Sequence, residues 1–458
     1  IATGGPDSVP TGEEDQTGTA ETLSALLGDN YADTTDDQAP DGGDTSTPLS
    51  YVAVTGASDY TAAQGTWQVS DGSGGWIDVP ASGLGPDDAL VVPAERTIRF
   101  DPAADFHGEP GSLQVRLADG DDIRNIAAST GAGDLKDLSA NGGTGETGRW
   151  SADTVAIETS VDPVNDRPAG TDGTLAAIDE GNLDPAGATL TDLFGADFDD
   201  STDDQTGITG GGDTSRSLGG AAIVGNAATA SQGTWQVSTD GGTNWSDVAT
   251  DVADDNATIL PEDGRLRFVP TDGDYNSAID NGPGGLELRL ADTQQTGDTG
   301  RDLSGDLGQT STWSEKVALD TDVDPVNDAP SASPSQNFTV SEDGGTQTTT
   351  GFMQALDEGG ALDEDGQTVS FGVKGVSDGA TFTAAQLFDG QPAFTDSDGS
   401  DNTLSFTPSD ILAEGESGTV TVTVGVSDDG GTSNGGEDTG SDRTFTITIN
   451  GRNDAPTT

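Results

Sequence analysis

Apolar residues recur at every second position in short runs along the chain. Thr154 to Thr159 (TVAIET), Lys316 to Thr321 (KVALDT), Val420 to Val426 (VTVTVGV) and Arg443 to Asn450 (RTFTITIN) alternate in this way, and so does Val369 to Val373 (VSFGV). A period of two puts alternate side chains on one face of an extended strand, so each run predicts a half-buried antiparallel strand. Turn residues separate the runs, at Asp240-Gly241-Gly242, Asp398-Gly399 and Asp429-Gly430-Gly431. Helical periodicity is scarce: Leu23 to Leu27 and Leu190 to Phe194 each suit one turn. The pattern predicts an all-β protein built from sandwiches.

Three of the alternating runs end in the same phrase. Val161-Asp162-Pro163-Val164-Asn165-Asp166-Arg167-Pro168 returns as Val323-Asp324-Pro325-Val326-Asn327-Asp328-Ala329-Pro330, and Asn453-Asp454-Ala455-Pro456 repeats its second half. Proline fixes φ and restricts the residue before it, so these segments read as stiff, extended linkers. The sequence between linkers also repeats. TLSALLGDNYADTTDDQ (22–38) matches TLTDLFGADFDDSTDDQ (189–205) without a gap, and Gly65-Thr66-Trp67-Gln68-Val69-Ser70 matches Gly233-Thr234-Trp235-Gln236-Val237-Ser238. Arg99-Phe100, Leu117-Ala118-Asp119 and Trp150-Ser151 return as Arg267-Phe268, Leu290-Ala291-Asp292 and Trp313-Ser314. Two copies of one design are followed by a shorter, divergent unit, giving expected domains 1–164, 165–326 and 327–458.

Composition sharpens this reading. The 458 residues carry 82 acidic and 16 basic side chains, a net charge of −66. Such a chain repels nucleic acid and anionic membrane surfaces; it suits cations, high salt, or both. Cysteine is absent, so stability must come from cores and bound ions, and His107 as the single histidine argues against histidine-based triads and zinc sites. No stretch approaches the roughly 18–20 apolar residues that span a bilayer. No signal peptide opens the chain, whose first residues read like the middle of a repeat, as in an excerpt or a processed product.

Units one and two resemble the cadherin-like tandem repeats of giant bacterial surface adhesins. The resemblance lies in the acidic loop (Tyr31 to Asp37, Phe198 to Asp204), the tryptophan hairpin at Trp67 and Trp235, the strands Arg99 to Ala103 and Arg267 to Thr271, and the linkers. Unit three is similar to a sister repeat through Val340-Ser341-Glu342-Asp343, Ser427 to Gly436 and the final linker. The family implies calcium between units. The first junction would draw on Glu14 and Asp119, linker Asp162, Asn165 and Asp166, then Asp200 and Asp203. The second would draw on Glu180 and Asp292, then Asp324, Asn327 and Asp328, then Asp363 and Asp365. The third linker, Asn453 and Asp454 with Glu342 and Asp428, would be half a site, completed by another unit or a neighbouring molecule. Oxygen donors from separate loops suit calcium, which takes six to eight oxygens at about 2.3–2.6 Å in irregular geometry. Arg167, where the family has alanine, places a cation beside the first site. Solvated surface charge accounts equally for acids taken one at a time.

Other motifs carry less. Ser238 to Trp245 fits the S-x-D-x-G-x-x-W box, a hairpin-turn device, and the remaining tryptophans suit cores or hairpins. Paired carboxylates could hydrolyse glycosides, but no insertion interrupts the repeats to form a pocket. The expected function is non-enzymatic: a calcium-stiffened extender of an extracellular adhesin or surface filament, supporting adhesion or biofilm. The alternatives are a glycan-binding module using exposed tryptophan, or a subunit polymerising head to tail.

Overall fold

The computed structural model describes residues 5–33, 37–38, 43–44, 47–118, 128–129, 134–140, 143–144, 148–360 and 363–453. It is a tandem array of β-sandwiches, in which alternation along each strand decides what faces inward. Gly65–Ser70 alternates buried and half-buried positions, with Trp67 and Val69 in the core. In unit one, a sheet ordered Asp7–Ser8, Val155–Glu158, Ser112–Ala118, Tyr51–Ser58, Leu90–Pro93 faces a sheet ordered Glu21–Thr22, Thr97–Pro102, Gly65–Ser70, Trp76–Asp78. Unit two repeats the plan, with Gly173–Thr174, Trp313–Asp320, Leu286–Ala291, Gly220–Asn226 and Ala257–Pro261 in one sheet, to which Asp298–Arg301 adds a sixth strand. Its second sheet runs Ala188–Thr189, Arg265–Pro270, Gly233–Ser238, Ser246–Asp247. Unit three keeps the sheet Phe338–Ser341, Arg443–Asn450, Ser417–Ser427, Ser370–Val376 against the sheet Gln347–Thr350, Thr403–Pro408, Phe388–Asp396.

Each sandwich closes around its own apolar core. Trp67 meets Phe100 edge-on at 5.3 Å between ring centroids, and Trp235 meets Phe268 the same way at 5.4 Å. Their indole N–H groups donate to Gly111 O and Gly284 O, satisfying the polar edge inside the core. Phenylalanines at 338, 352, 406 and 445 do the equivalent work in unit three. The hairpin at Ser238 to Trp245 is a turn device: Asp240 accepts from the backbone and side-chain amides of Asn244, then from Ser238 Oγ and Thr243 N, which together hold its carboxyl down to about 2, and Trp245 lies under Arg267. Trp150 and Trp313 are buried as well, and Trp76 lies under Arg99. Leu23–Leu27 and Leu190–Phe194 form the two short helices the sequence suggested; Ser277–Asp280 and Ala384–Leu387 are two more that it did not.

Two features of connectivity position the functional groups. In units one and two the first strand pairs in parallel with the last, as Asp7↔Ile157 and Gly173↔Leu319 show; in unit three Ser331–Pro334 first pairs antiparallel with Met353–Asp357, and the second strand makes the parallel pairing, Phe338↔Ile447. The linker then continues that pairing: Val161–Asp162 runs beside Gly12–Glu13, and Val323–Asp324 beside Ile178–Asp179. The chain therefore leaves each sandwich at the end opposite to where it came in. Among the described residues no helix is long and apolar enough to cross a membrane.

Candidate metal centres at the unit junctions

The parallel clasp between Gly12–Glu13 and Val161–Asp162 carries Glu14 to the trailing end of unit one. There it is almost fully buried, one oxygen accepting from Val164 N and the other lying 3.1 Å from His107 Nδ1. Asp15 and Asp105 beside it both hold φ near +60°, a conformation uncommon for residues other than glycine, and Asp105 N donates to Asp15 Oδ1. With linker Asp166 they form a cluster in which one carboxylate oxygen from each lies within 4.8 Å of the others. Burial, then Asp105, Asp203, Asp15 and Glu14 as like charges, push Asp166 up to about 6. Burial also raises Glu14.

Across the junction, the leading end of unit two presents a second group. Asp166 N donates to buried Asp203 at 3.0 Å, and Arg216 N donates to buried Asp200 at 2.7 Å. Asn165 donates to Ser311 O and Asp166 O. Asp292 is 2% exposed, and among the described residues neither of its oxygens has a hydrogen-bond partner of normal geometry. The Asn165 side chain faces Asp292 and offsets part of the rise that burial imposes on its pKa; burial likewise pushes Asp200 up to about 6. A buried, unpartnered carboxylate is costly unless something cationic completes it. Arg167 does not: its guanidinium turns to Glu315 at 2.5 Å, so the expected cation beside the cluster is tied up within unit two.

The second junction repeats the hydrogen-bonding scheme, without, among the described residues, a carboxylate cluster as close as that of Asp15, Asp105 and Asp166. Glu180 accepts from Val326 N and from the Asn276 amide, both at 2.6 Å, and Asn276 also reaches Asp363 of unit three at 2.8 Å. Asp328 N donates to buried Glu364, and Asn327 donates to Asp428 at 3.2 Å. Asp328 is raised by burial first, then by Asp274, Asp363 and Glu437; Glu180 is raised mainly by burial. At the trailing end of unit three, Glu342 accepts from Arg452 N and Leu412 N, so Glu14, Glu180 and Glu342 grip equivalent backbone positions.

Two expected placements are corrected. Asp292 sits at the first junction, not the second, and Asp428 at the second, not behind the third linker. The reason is strand direction. Leu286–Ala291 runs antiparallel to Trp313–Asp320, which leads into the linker, so a residue just past Ala291 emerges at the opposite end of the sandwich. Ser417–Ser427 against Arg443–Asn450 does the same for Asp428. Asp119 and Asp454 lie outside the described residues. The side chains of Asp162, Asp324, Asp365 and Asn453 are exposed and join no group; Asp162 and Asp324 contribute backbone carbonyls that accept from Glu14 N and Glu180 N. Reading the sequence missed Asp15, Asp105, His107, Asp274, Asn276 and Glu364. The triplets Asp105-Phe106-His107 and Asp274-Tyr275-Asn276, each a few residues beyond an Arg-Phe strand and matched after a one-residue gap, were the available signal.

No family model matches the chain. No curated protein matches it either. Among solved structures it is similar to the extracellular cadherin domains 1-4 of protocadherin gamma B7, at 12% identity over 98% of this chain and 75% of that one, with a TM-score of 0.37. Mouse clustered PcdhgC3 EC1-3 aligns at 11% identity over 97% and 99% of the two chains, with a TM-score of 0.39. Mouse cadherin-23 EC22-24 aligns at 13% over 98% and 96%, with a TM-score of 0.35. These scores do not carry the fold, which rests on the sheets and cores described above.

Proposed function

We propose that the chain is an extender segment of an extracellular, bacterial surface adhesin, three units at 1–164, 165–326 and 327–458 whose junctions bind calcium and hold the array straight. The observation that carries this reading is Asp292, a carboxylate removed from water with no hydrogen-bond partner of normal geometry, facing linker Asn165, with the charge of Arg216 as a partial counterweight and that of Asp203 opposing it. Asp15, Asp105 and Asp166, the closest cluster, would hold a cation on the unit-one side, and Asp200, Asp203 and Asp292, which feel one another's charge, would complete the site from unit two. Arg216 offsets part of the charge of Asp200 and Asp292, and calcium would supply the rest. All the donors are hard oxygens from separate loops, a set that favours calcium over magnesium, which demands tight octahedral geometry. Without a cation the like charges repel, and a junction that nothing else fastens opens; there, binding and alignment are a single event.

Titration calorimetry and small-angle scattering on the full chain test this together. Calcium is expected to bind with measurable heat and to lengthen the maximum dimension relative to the chelated protein. Asp292→Asn is expected to weaken binding at the first junction about tenfold or more and to raise the melting temperature in chelator, because the orphan charge is gone. No heat of binding in the parent protein, with an unchanged dimension, defeats the proposal.

A further inference from the structure

The two junctions differ in what joins them apart from a cation. Between Asp204 and Asp213, unit two extends a glycine-rich loop, Gln205 to Gly212, back over the trailing end of unit one. Ile208 of this loop packs against the core cluster of unit one. Three hydrogen bonds surround that anchor: Gln64 Nε2 donates to Thr209 O at 2.6 Å, Glu109 N to Gly210 O at 2.8 Å, and Gly212 N to His107 O at 3.1 Å. The approach is backbone to backbone. A Cβ on Gly108 would run into Gly210 O, and one on Gly210 into Glu109 O, so facing glycines are a condition of the contact.

Unit two has the equivalent receiving face but fills it itself. Gln232 stands where Gln64 does, each accepting from a threonine amide three residues earlier and from the glycine that also bonds the core tryptophan. The chain takes eight steps from Asn276 to Gly284 where unit one takes four from His107 to Gly111. The added residues include the helix Ser277–Asp280, and Gln232 Nε2 spends its donor on Gly282 O in its own unit. Across the second junction the described side-chain bond between the bodies of the two units is Asn276 to Asp363, which joins one of the proposed cation ligands.

We infer that the loop Gln205 to Gly212 is a metal-independent latch, so that the first junction keeps its alignment without calcium while the second loses it. The face made by Gln64 and His107 to Glu109 is an interaction surface for the glycine loop of a following unit, with Ile208 as its apolar anchor. The chain is one stiff pair of units followed by a cation-dependent hinge. The contrast between junctions rests on the calcium reading above; the latch does not.

Because the chain has no cysteine, paired spin labels report on each junction in the full-length protein. Labels at Ser73→Cys with Asp251→Cys span the first junction, and Asp251→Cys with Asp389→Cys span the second. In chelator the first distance distribution is expected to keep its calcium-loaded width, while the second broadens at least about twofold, as domains without a large interface do. Ile208→Ser, and separately Gly210→Val, should broaden the first distribution in chelator and let calcium restore it. Both changes lie in a loop, and an unchanged near-ultraviolet circular dichroism spectrum certifies that the sandwiches remain folded. Broadening of the parent's first junction to match the second overturns the latch, and so does a narrow first junction in both variants under chelator. A second junction that ignores calcium sinks the cation reading instead, and leaves the latch to be judged by the two variants.

Discussion

At the scale of the residue, folding disfavours the ionised form of two junction carboxylates. Asp166 and Asp200 are both pushed up to about 6, burial being the largest cause in each. The sign follows from linkage. Between the ordinary aspartate value of 3.8 and about 6, the metal-free folded chain binds protons that the unfolded chain has released. Metal-free stability therefore falls as pH rises through that window and levels off above it. Melting temperatures in chelator are expected to be higher at pH 5 than at pH 7.5. Calcium competes with the same protons, so binding near pH 6 should release them, which calorimetry in two buffers of different ionisation enthalpy would read. Calcium affinity should fall steeply below pH 6. A metal-free melting temperature that rises with pH would contradict the assignment of these shifts to like-charged, buried carboxylates.

At the scale of the element, alternation was enough to find the strands. VTVTVGV lies within Ser417–Ser427, and RTFTITIN is the strand Arg443–Asn450. The register of the copied segments also carried over, since Trp67 and Trp235 occupy the same core position against Phe100 and Phe268. Which end of a sandwich a loop occupies was harder to read. Spacing along the chain puts Asp292 closer to Asp324 than to Asn165, yet the last long strand, Trp313–Asp320, spans the unit between its end of the sandwich and the linker. The direction of Leu286–Ala291 against Trp313–Asp320, rather than a count of residues, places it. The added helix at Ser277–Asp280 was invisible for another reason: four residues without apolar periodicity gain their shape from the face they cover. Core packing itself gives a direct test. Trp235→Ala removes a fully buried ring and leaves Gly284 O unpaired, and is expected to cost unit two about 3–5 kcal/mol. Differential scanning calorimetry should show one transition shifting down while that of unit three stays in place. Three transitions moving together would mean the units do not melt separately.

At the scale of the whole molecule, the arrangement of first and last strands governs how the array bears load. In every unit a strand near the start, the first in units one and two and the second in unit three, lies beside the last strand and points the same way. Tension applied along the chain thus pulls them past one another lengthwise, and the ladder bonds between them share the force instead of opening one at a time. Unit three holds this clasp as four consecutive pairs, Phe338↔Ile447 to Ser341↔Asn450, whereas unit one divides its clasp between Asp7–Ser8 and Gly12–Glu13. In single-molecule stretching, unit three is expected to rupture at the highest force, and equal rupture forces for all units would refute that ranking. A tether made this way resists shear at each link, and its weakest point under traction is set by hydrogen-bond continuity in a short parallel ribbon rather than by the size of the core behind it.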